Sequence, residues 1–168
     1  YREGKPYARE AVISAVYSAV GLHTFAIESC SIFTQPGLGL HPFAYNVAIY
    51  VYGAAAKIDE ALKVFMRMQD EGLEPDIVTF INLVGCYGKA GMVEGIKRIY
   101  GQLKYGFIEP NESLYNAIID AYNEAGRYDL ADLVSQEMKL DLDVKQLTDS
   151  ESEGVVDEVS EGGEGEDS

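Results

Sequence analysis

Residues 42–76 read PFAYNVAIYVYGAAAKIDEALKVFMRMQDEGLEPD, and their apolar side chains recur at helical spacing. Tyr45, Ile49 and Tyr52 lie at i, i+4 and i+7, which is typical of one stripe on an amphipathic helix. A second stripe follows the break at Ala56–Lys57 and consists of Ala61, Val64, Phe65 and Met68. The proline of EGLEPD cannot continue a helix. The stretch therefore predicts two short helices that form a hairpin.

The same pattern recurs along the chain with a period of 35 residues, and repeats of this length are typical of stacked helical hairpins. Residues that share a register are Tyr17, Tyr52, Tyr87 and Tyr122; Tyr45, Phe80 and Tyr115; Gly21, Ala56, Gly91 and Gly126; Pro75 and Pro110; and Asn46 and Asn116. The period divides the chain into four predicted repeats, 7–41, 42–76, 77–111 and 112–146.

One hairpin cannot bury both of its apolar stripes, but stacked neighbours can. Helices of about 12 residues are about 18 Å long, so packing rather than intrinsic propensity must stabilise them. The sequence therefore predicts an all-α fold, a right-handed α-solenoid of helix–turn–helix repeats in which each repeat contacts its neighbours.

The glycine-rich stretch GCYGKAG, residues 85–91, invites comparison with a phosphate-binding loop. Such a loop needs a glycine where Leu83 stands and a serine or threonine where Ala90 stands. The repeat instead places the stretch at the end of a first helix, which Gly91 terminates. Gly85 and Gly88 then lie inside that helix, and we attribute both to close helix packing.

The formal net charge of −15 is concentrated at one end of the chain. Residues 147–168 hold nine Asp and Glu residues and no Lys or Arg, which predicts a disordered acidic tail. Residues 1–146 keep a net charge of −6. An acidic body weakens the case for strong non-specific binding to nucleic acid, because such binding depends on Lys and Arg.

Cys30 and Cys86 have no partner at metal-ligand spacing, so they are predicted to be buried thiols, and no metal site or other cofactor is expected. No apolar run is long enough to span a bilayer. The chain begins with Tyr1 rather than Met, and we expect it to be the carboxy-terminal part of a longer protein with any transit peptide upstream.

Block 42–76 resembles the pentatricopeptide repeat (PPR) over its full length, through an early Tyr-Asn, DEALKVF in the second helix, a methionine and GLEPD. Block 112–146 is similar through Met138 and lacks the Gly-x-x-Pro ending, and block 7–41 is the most divergent. The tetratricopeptide repeat is a poorer alternative. Its period is one residue shorter, and it favours a small residue where Ile49, Val84 and Ile119 stand.

The resemblance implies single-stranded RNA binding, with one base per repeat along the concave face. In the family the fifth and last residues of a repeat select the base, and the second residues of adjacent repeats flank it. Carried to this sequence, the selecting pairs are Ala11 with His41, Asn46 with Asp76, Ile81 with Asn111, and Asn116 with Gln146. The flanking residues are Ala8, Phe43, Val78 and Ser113, and Lys89 is a candidate phosphate contact.

Of these pairs, Asn46 with Asp76 resembles a uridine selector. An ionised Asp only accepts hydrogen bonds, which suits the N3–H of uracil and not the lone pair of cytosine. Ile81 and Ala11 cannot hydrogen-bond a base. The competing interpretation is structural: Asp76 and Asn111 follow proline and precede a helix, where they are favoured N-caps, and Asn46 and Asn116 are exposed polar residues.

Two functions remain open at this point. The first is an RNA-binding module of an organellar RNA-processing protein, placed in the chloroplast or alternatively in the mitochondrion. The second is a protein-interaction scaffold, which the acidic body and tail favour. An enzyme is not expected, since the sequence shows no nucleophile with a base and no metal-ligand cluster. We expect the chain by itself to bind RNA weakly or not at all, because it holds few repeats and carries negative charge.

Overall fold

The computed structural model describes residues 8–35, 42–109 and 111–153, and this part of the chain forms eight α-helices and no strand. The helices are α1 (Ala8–Ala19), α2 (His23–Phe33), α3 (Pro42–Ala54), α4 (Ile58–Asp70), α5 (Ile77–Lys89), α6 (Val93–Lys104), α7 (Glu112–Glu124) and α8 (Tyr128–Glu153). Successive first helices α3, α5 and α7 begin 35 residues apart, and so do the second helices α2, α4, α6 and α8.

The helices pack in two rows. The inner row consists of α1, α3, α5 and α7, each of which packs against the next in chain order. In the outer row, α2, α4 and α6 each contact the inner helix before and after them, and α8 contacts α7. Every described helix therefore contacts only its own or an adjacent hairpin, as a helical solenoid requires.

The predicted apolar stripes form the core between the rows. Tyr45 and Ile49 are fully buried, and Tyr52 is 6% exposed. The corresponding buried residues of the following hairpins include Leu83, Val84, Tyr87, Ile118 and Tyr122, and those of the outer helices include Ala61, Val64, Met68, Ile96 and Ile99. Phe65 and Phe80 are only half-buried, at the edge of this core.

A second tyrosine position links the two helices of a hairpin. The hydroxyl of Tyr45 donates a hydrogen bond to the carboxylate of Glu71, and that of Tyr115 donates to Asp141. Both pairs are 26 residues apart. The third hairpin has Phe80 and Gly106 at these two positions, so the donor and the acceptor are absent together.

Each turn between the two helices of a hairpin is closed by the same backbone hydrogen bond. The N–H groups of Leu22, Lys57, Met92 and Arg127 donate to the carbonyls of Tyr17, Tyr52, Tyr87 and Tyr122 over 2.8–2.9 Å. This closure puts the preceding residue in the left-handed region, which favours glycine. That residue is glycine in the first, third and fourth hairpins and Ala56, with φ 59°, in the second.

We predict opposite effects for two substitutions at this register. A residue with a Cβ in the left-handed region costs roughly 1–2 kcal/mol, and glycine loses about 0.5–1 kcal/mol more than alanine in backbone entropy. Ala56→Gly should therefore raise the free energy of unfolding by about 0.5 kcal/mol, and Gly91→Ala should lower it by about 1 kcal/mol. Urea denaturation of the two variants measures both. Changes of the same sign would contradict this account of the turn.

The two glycines inside α5 differ in their surroundings. A Cβ built on Gly88 would lie 2.7 Å from the Cα of Ala121 in α7, so Gly88 permits the close approach of two inner helices. A Cβ on Gly85 would meet nothing within 4 Å. The predicted packing role is thus correct for Gly88 and wrong for Gly85, which faces open space.

Alanine at these two positions should therefore have opposite consequences. We expect Gly88→Ala to lower the free energy of unfolding by about 1–3 kcal/mol, because the inner helices must separate. Gly85→Ala should raise it by about 0.5–1 kcal/mol, since alanine favours the helix and the space is empty. Chemical denaturation of the pair tests this, and a loss of stability in Gly85→Ala would show that its side of α5 is occupied.

The structure also tests the predictions on the acidic tail, the two cysteines and membrane spans. Helix α8 runs to Glu153, so residues 147–153 are helical and the predicted start of the disordered tail at residue 147 is wrong. Residues 154–168 lie outside the described residues.

Cys30 and Cys86 are buried free thiols, as predicted, and burial raises the pKa of each to about 12. No helix in the described ranges has the length and hydropathy to cross a bilayer.

Candidate nucleic-acid interface

Four of the predicted site residues line one groove at the N-terminal ends of α3 and α5. This groove, which we call the Asn46 groove, has a volume of about 520 Å³. Its lining includes Phe43, Asn46, Tyr50, Asp76, Val78 and Asn82. The structure thus brings together Asn46 and Asp76, which are 30 residues apart in the sequence, with the two residues predicted to flank a base.

Asn46 and Asp76 belong to one hydrogen-bond network. The Nδ2 group of Asn46 donates to Oδ1 of Asp76 over 3.3 Å. The hydroxyl of Thr79 lies 2.7 Å from Oδ1 of Asn46 and 3.0 Å from Oδ1 of Asp76. Asn82 donates to the backbone carbonyl of Asn46 over 3.0 Å. These bonds hold the Asn46 side chain against the next inner helix.

The network fixes which way the Asn46 amide points. A carboxylate can only accept, so the NH₂ group must face Asp76 while the oxygen accepts from Thr79. One N–H of that NH₂ group is used by Asp76, and an amide has two. Asn46 is 8% exposed, so the interpretation of it as an ordinary exposed residue is wrong.

Asp76 is at the same time the N-cap of α5. Its Oδ1 accepts from the backbone N–H of Thr79 over 3.0 Å, and the Thr79 hydroxyl accepts from the backbone N–H of Asp76 over 3.1 Å, which completes a capping box. The cap and the contact with Asn46 therefore coexist, and one carboxylate serves both.

Desolvation raises the pKa of Asp76, but hydrogen bonds from Thr79 and Asn46 outweigh it and hold the pKa below its ordinary value. Because the pKa is lowered on folding, the carboxylate contributes to stability at pH values above its unfolded-state pKa. That contribution is lost as the pH falls through the folded-state pKa. At neutral pH Asp76 is ionised and acts only as an acceptor.

Phe43 and Val78 line the same groove as this pair. Phe43 is 45% exposed and Val78 is 47% exposed, and each is the second residue of its helix. The groove therefore offers a planar ring exposed apolar surface beside the polar groups of Asn46 and Asp76. Stacking of a base on an aromatic side chain contributes roughly 1–3 kcal/mol.

The pair predicted in the next repeat is arranged differently. Ile81 is half-buried and lines a smaller groove of about 240 Å³ with Tyr50, Gly85 and Lys89. Asn111 caps α7, where its side chain accepts from the backbone N–H of Leu114 over 3.1 Å. Its capping role is confirmed. Lys89 lies 3.9 Å from Glu124 at the rim, so a carboxylate offsets the charge of the predicted phosphate contact.

The remaining residues predicted to select or flank a base are buried, exposed or outside the described residues. Ala11 is fully buried, so the prediction that it faces a base is wrong. His41 lies outside the described residues, and so does the side chain of Ala8. Ser113, Asn116 and Gln146 are exposed, with Gln146 on α8.

Three residues of this face were missed from the sequence. Thr79 is fully buried and joins Asn46 to Asp76, Asn82 holds the Asn46 backbone, and Tyr50 lines both grooves with its side chain 41% exposed. The capping-box spacing from Asp76 to Thr79 was a sequence signal for Thr79. The roles of Asn82 and Tyr50 depend on contacts between hairpins, which no local sequence pattern indicates.

The two-row packing and the inner-row groove define a class of protein, the helical-hairpin solenoids. Within that class, the sequence model described as "PPR repeat family" matches residues 42–88, and the model described as "PPR repeat" matches residues 78–105 and 113–141. The chain belongs to the pentatricopeptide repeat family.

Relatives in Arabidopsis thaliana are much longer than this chain. The pentatricopeptide repeat-containing protein At1g73710 is 49% identical over 152 residues, which cover 90% of this chain and 15% of that protein. At5g15010, named mitochondrial, is 32% identical over 39% of this chain and 12% of its own length. At5g04810, named chloroplastic, is 30% identical over 56% of this chain and 10% of its own.

A solved structure shares the fold. The crystal structure of the pentatricopeptide repeat protein PPR10 in complex with an 18-nt psaJ RNA element superposes with a TM-score of 0.67 and 24% identity. The match covers 77% of this chain and 19% of that one. The predicted α-solenoid of helical hairpins is confirmed.

Removal of the buried Thr79 hydroxyl, which joins Asn46 to Asp76, should lower the free energy of unfolding. Thr79→Val keeps the shape of the side chain but leaves Oδ1 of Asn46 without its donor, so we expect a loss of about 1–3 kcal/mol in the free energy of unfolding. Thr79→Ser, which retains the hydroxyl, is the matched control. Urea denaturation measures both variants, and a Thr79→Val variant as stable as Thr79→Ser would show that the hydroxyl contributes little to stability.

Proposed function

We propose that this chain is a single-stranded RNA-binding module in which the Asn46 groove selects uracil. The observation that carries the proposal is the hydrogen-bonded pair of Asn46 and Asp76 in one groove with two exposed apolar side chains, Phe43 and Val78. The pair supplies a donor and an acceptor side by side at the place where the edge of an inserted base would lie.

The order of donor and acceptor favours uracil over cytosine. The second N–H of Asn46 suits a carbonyl oxygen of uracil, and the ionised carboxylate of Asp76 suits its N3–H. Cytosine presents an amino group and a lone pair instead, so a donor would face a donor and an acceptor an acceptor. Buried polar groups left unpaired in this way cost about 1–3 kcal/mol each.

The family and its members support this assignment. PPR10 is an RNA-bound relative by its own description, and the fold is shared. By extension, we propose that the longer protein acts in organellar RNA processing, stabilisation or translation. Relatives named chloroplastic and mitochondrial support an organelle, and we favour the chloroplast over the mitochondrion.

The chain's part in this function is to bind RNA, and the proposal includes no catalytic step and no cofactor. Among the described residues no group of three or more His, Cys, Asp or Glu side chains is arranged to hold a metal ion. Ile81 offers a base apolar contact without hydrogen bonds. The repeat that contains Asn46 therefore selects uracil, whereas the next repeat, with Ile81, binds a base without discriminating between bases.

A protein-interaction scaffold is the second candidate function. The groove beside Ile81 carries Asp120 and Glu124 on its lining, which suits a cationic peptide better than a phosphate backbone. Binding of such a peptide with no response to RNA would favour the scaffold.

The substitution Asp76→Asn separates base selection from capping. Asparagine already caps α7 at Asn111, so the variant should keep its cap and fold, with only the small loss of stability that removal of the carboxylate causes. A neutral amide can present either a donor or an acceptor, so the preference for uracil should fall. We expect wild type to bind short oligouridine several-fold more tightly than oligocytidine, and Asp76→Asn to reduce that ratio to about one.

NMR titration at low ionic strength suits the weak binding expected of this chain. Shifts should centre on the Asn46 side-chain amide and on Val78. Glu74→Gln, which removes a neighbouring exposed charge, controls for simple loss of repulsion and should keep the wild-type ratio. A uracil preference that survives Asp76→Asn would leave this carboxylate with its capping role alone.

A further inference from the structure

Helix α8 is longer than the repeat requires. It has 26 residues, whereas the outer helices α4 and α6 have 13 and 12. Its backbone packs against α7, and its Glu137 side chain reaches Lys104 of α6. About half of α8 therefore continues past the length of the other outer helices.

One face of α8 makes the solenoid contact. Ala131 and Val134 are 2% exposed, and Met138 and Leu142 are half-buried on the same stripe. These residues are spaced i, i+3, i+7 and i+11, as expected for one face of a helix. They account for the burial that holds α8 on α7.

A second apolar stripe lies on the opposite face. Leu133, Leu140, Val144 and Leu147 are 55%, 65%, 59% and 66% exposed. At about 100° per residue, the centre of this stripe is about 155° from the buried one. We call these four residues the α8 stripe.

The solenoid does not need apolar residues at these positions. The residues 70 and 35 positions before Leu133, at the same register of the outer helices, are Lys63 and Arg98. The residues 70 and 35 positions before Leu140 are Asp70 and Tyr105. All four are exposed. An aliphatic side chain at these registers is therefore a feature of α8 and not of the earlier repeats.

The spacing of the α8 stripe is that of a coiled-coil seam. Leu133, Leu140 and Leu147 are seven residues apart and correspond to d positions, and Val144 lies between the last two at an a position. A β-branched residue at a with leucine at d favours a two-stranded coiled coil. Glu137 occupies the preceding a position and lies 3.3 Å from Lys104. The seam predicts a helix as its partner.

The charges beside the seam indicate which charges a partner helix should carry. The flanking e and g positions next to Leu140 and Val144 are Asp141 and Asp143, and Asp141 also accepts from the Tyr115 hydroxyl. The two lysines of α8, Lys139 and Lys145, are at c and b, away from the seam. In a parallel in-register pair of two copies of this chain, Asp141 would face Gln136 and Asp143 would face Thr148, so neither carboxylate would gain a cation. A partner helix with Lys or Arg at these positions would supply one.

We propose that the α8 stripe binds an α-helix of another protein, one with a leucine-type heptad seam flanked by Lys or Arg. This contact lies on the outer row, away from the Asn46 groove, so it is compatible with RNA on the inner row. It does not depend on the proposed RNA function.

Two synthetic peptides of about three heptads test the proposal directly. Both carry Ile at a and Leu at d. The basic probe has Lys at e and g, and the acidic probe has Glu at those positions. In fluorescence anisotropy at physiological salt, the chain should bind the basic probe at least about tenfold more tightly than the acidic one.

Variants distinguish the seam from simple charge attraction. Leu140→Gln with Leu147→Gln keeps every charge and should weaken binding of the basic probe by about tenfold or more. Met66→Gln, at an exposed residue of α4, is the matched control and should bind as wild type does. The altered residues are exposed, so melting temperatures should not change. Val144→Gln provides a second test of the seam should the double variant be less stable.

Three results would overturn the proposal. The first is equal binding of the basic probe by wild type and by the seam variants, which would show charge attraction alone. The second is no binding of either probe. The third is a dimer of the chain in sedimentation velocity that the double variant dissociates, which would make a second copy the occupant of the stripe.

Discussion

Close packing between successive inner helices is the constraint on which the rest of this structure depends. Gly88 allows α5 to lie against Ala121 of α7, and the Asn82 side chain of α5 reaches the backbone of Asn46 in α3. Because neighbours are this close, residues one repeat apart form grooves on a shared surface. The base-sized spaces of the inner row are consequences of the helix spacing and not of any single hairpin.

The same closeness makes Asp76 a residue with two roles. Its position after proline and before α5 makes it a helix cap, and its position beside Asn46 of the preceding inner helix makes it part of the groove. Thr79 joins the two roles through one hydroxyl. Stability and the orientation of the selecting groups are therefore coupled, because a change that disturbs the cap also frees the Asn46 amide.

The repeats keep their backbone and differ in their chemistry. All four hairpins close their turns with the same hydrogen bond, although one of them does so with Ala56 instead of glycine. The hydroxyl–carboxylate bond of the second and fourth hairpins is absent as a unit from the third. Ile81 replaces Asn46 on the next inner helix, and Gly85 replaces Tyr50. A solenoid tolerates such variation because each hairpin depends only on its neighbours.

The sequence by itself determined the hairpins, their period and their core, because the spacing of apolar residues and the turn glycines follow from local helical geometry. It also indicated that Asn46 and Asp76 belong together, through the resemblance to a known repeat. Only the tertiary structure decided that Asn46 is buried and oriented by Thr79, that Ala11 cannot reach a base, and that Gly85 faces open space while Gly88 does not. It also extended α8 past residue 147 and showed its second apolar stripe. These features depend on contacts between residues that are far apart in the chain, and on which of two helix faces is covered, and neither follows from the pattern of a single helix.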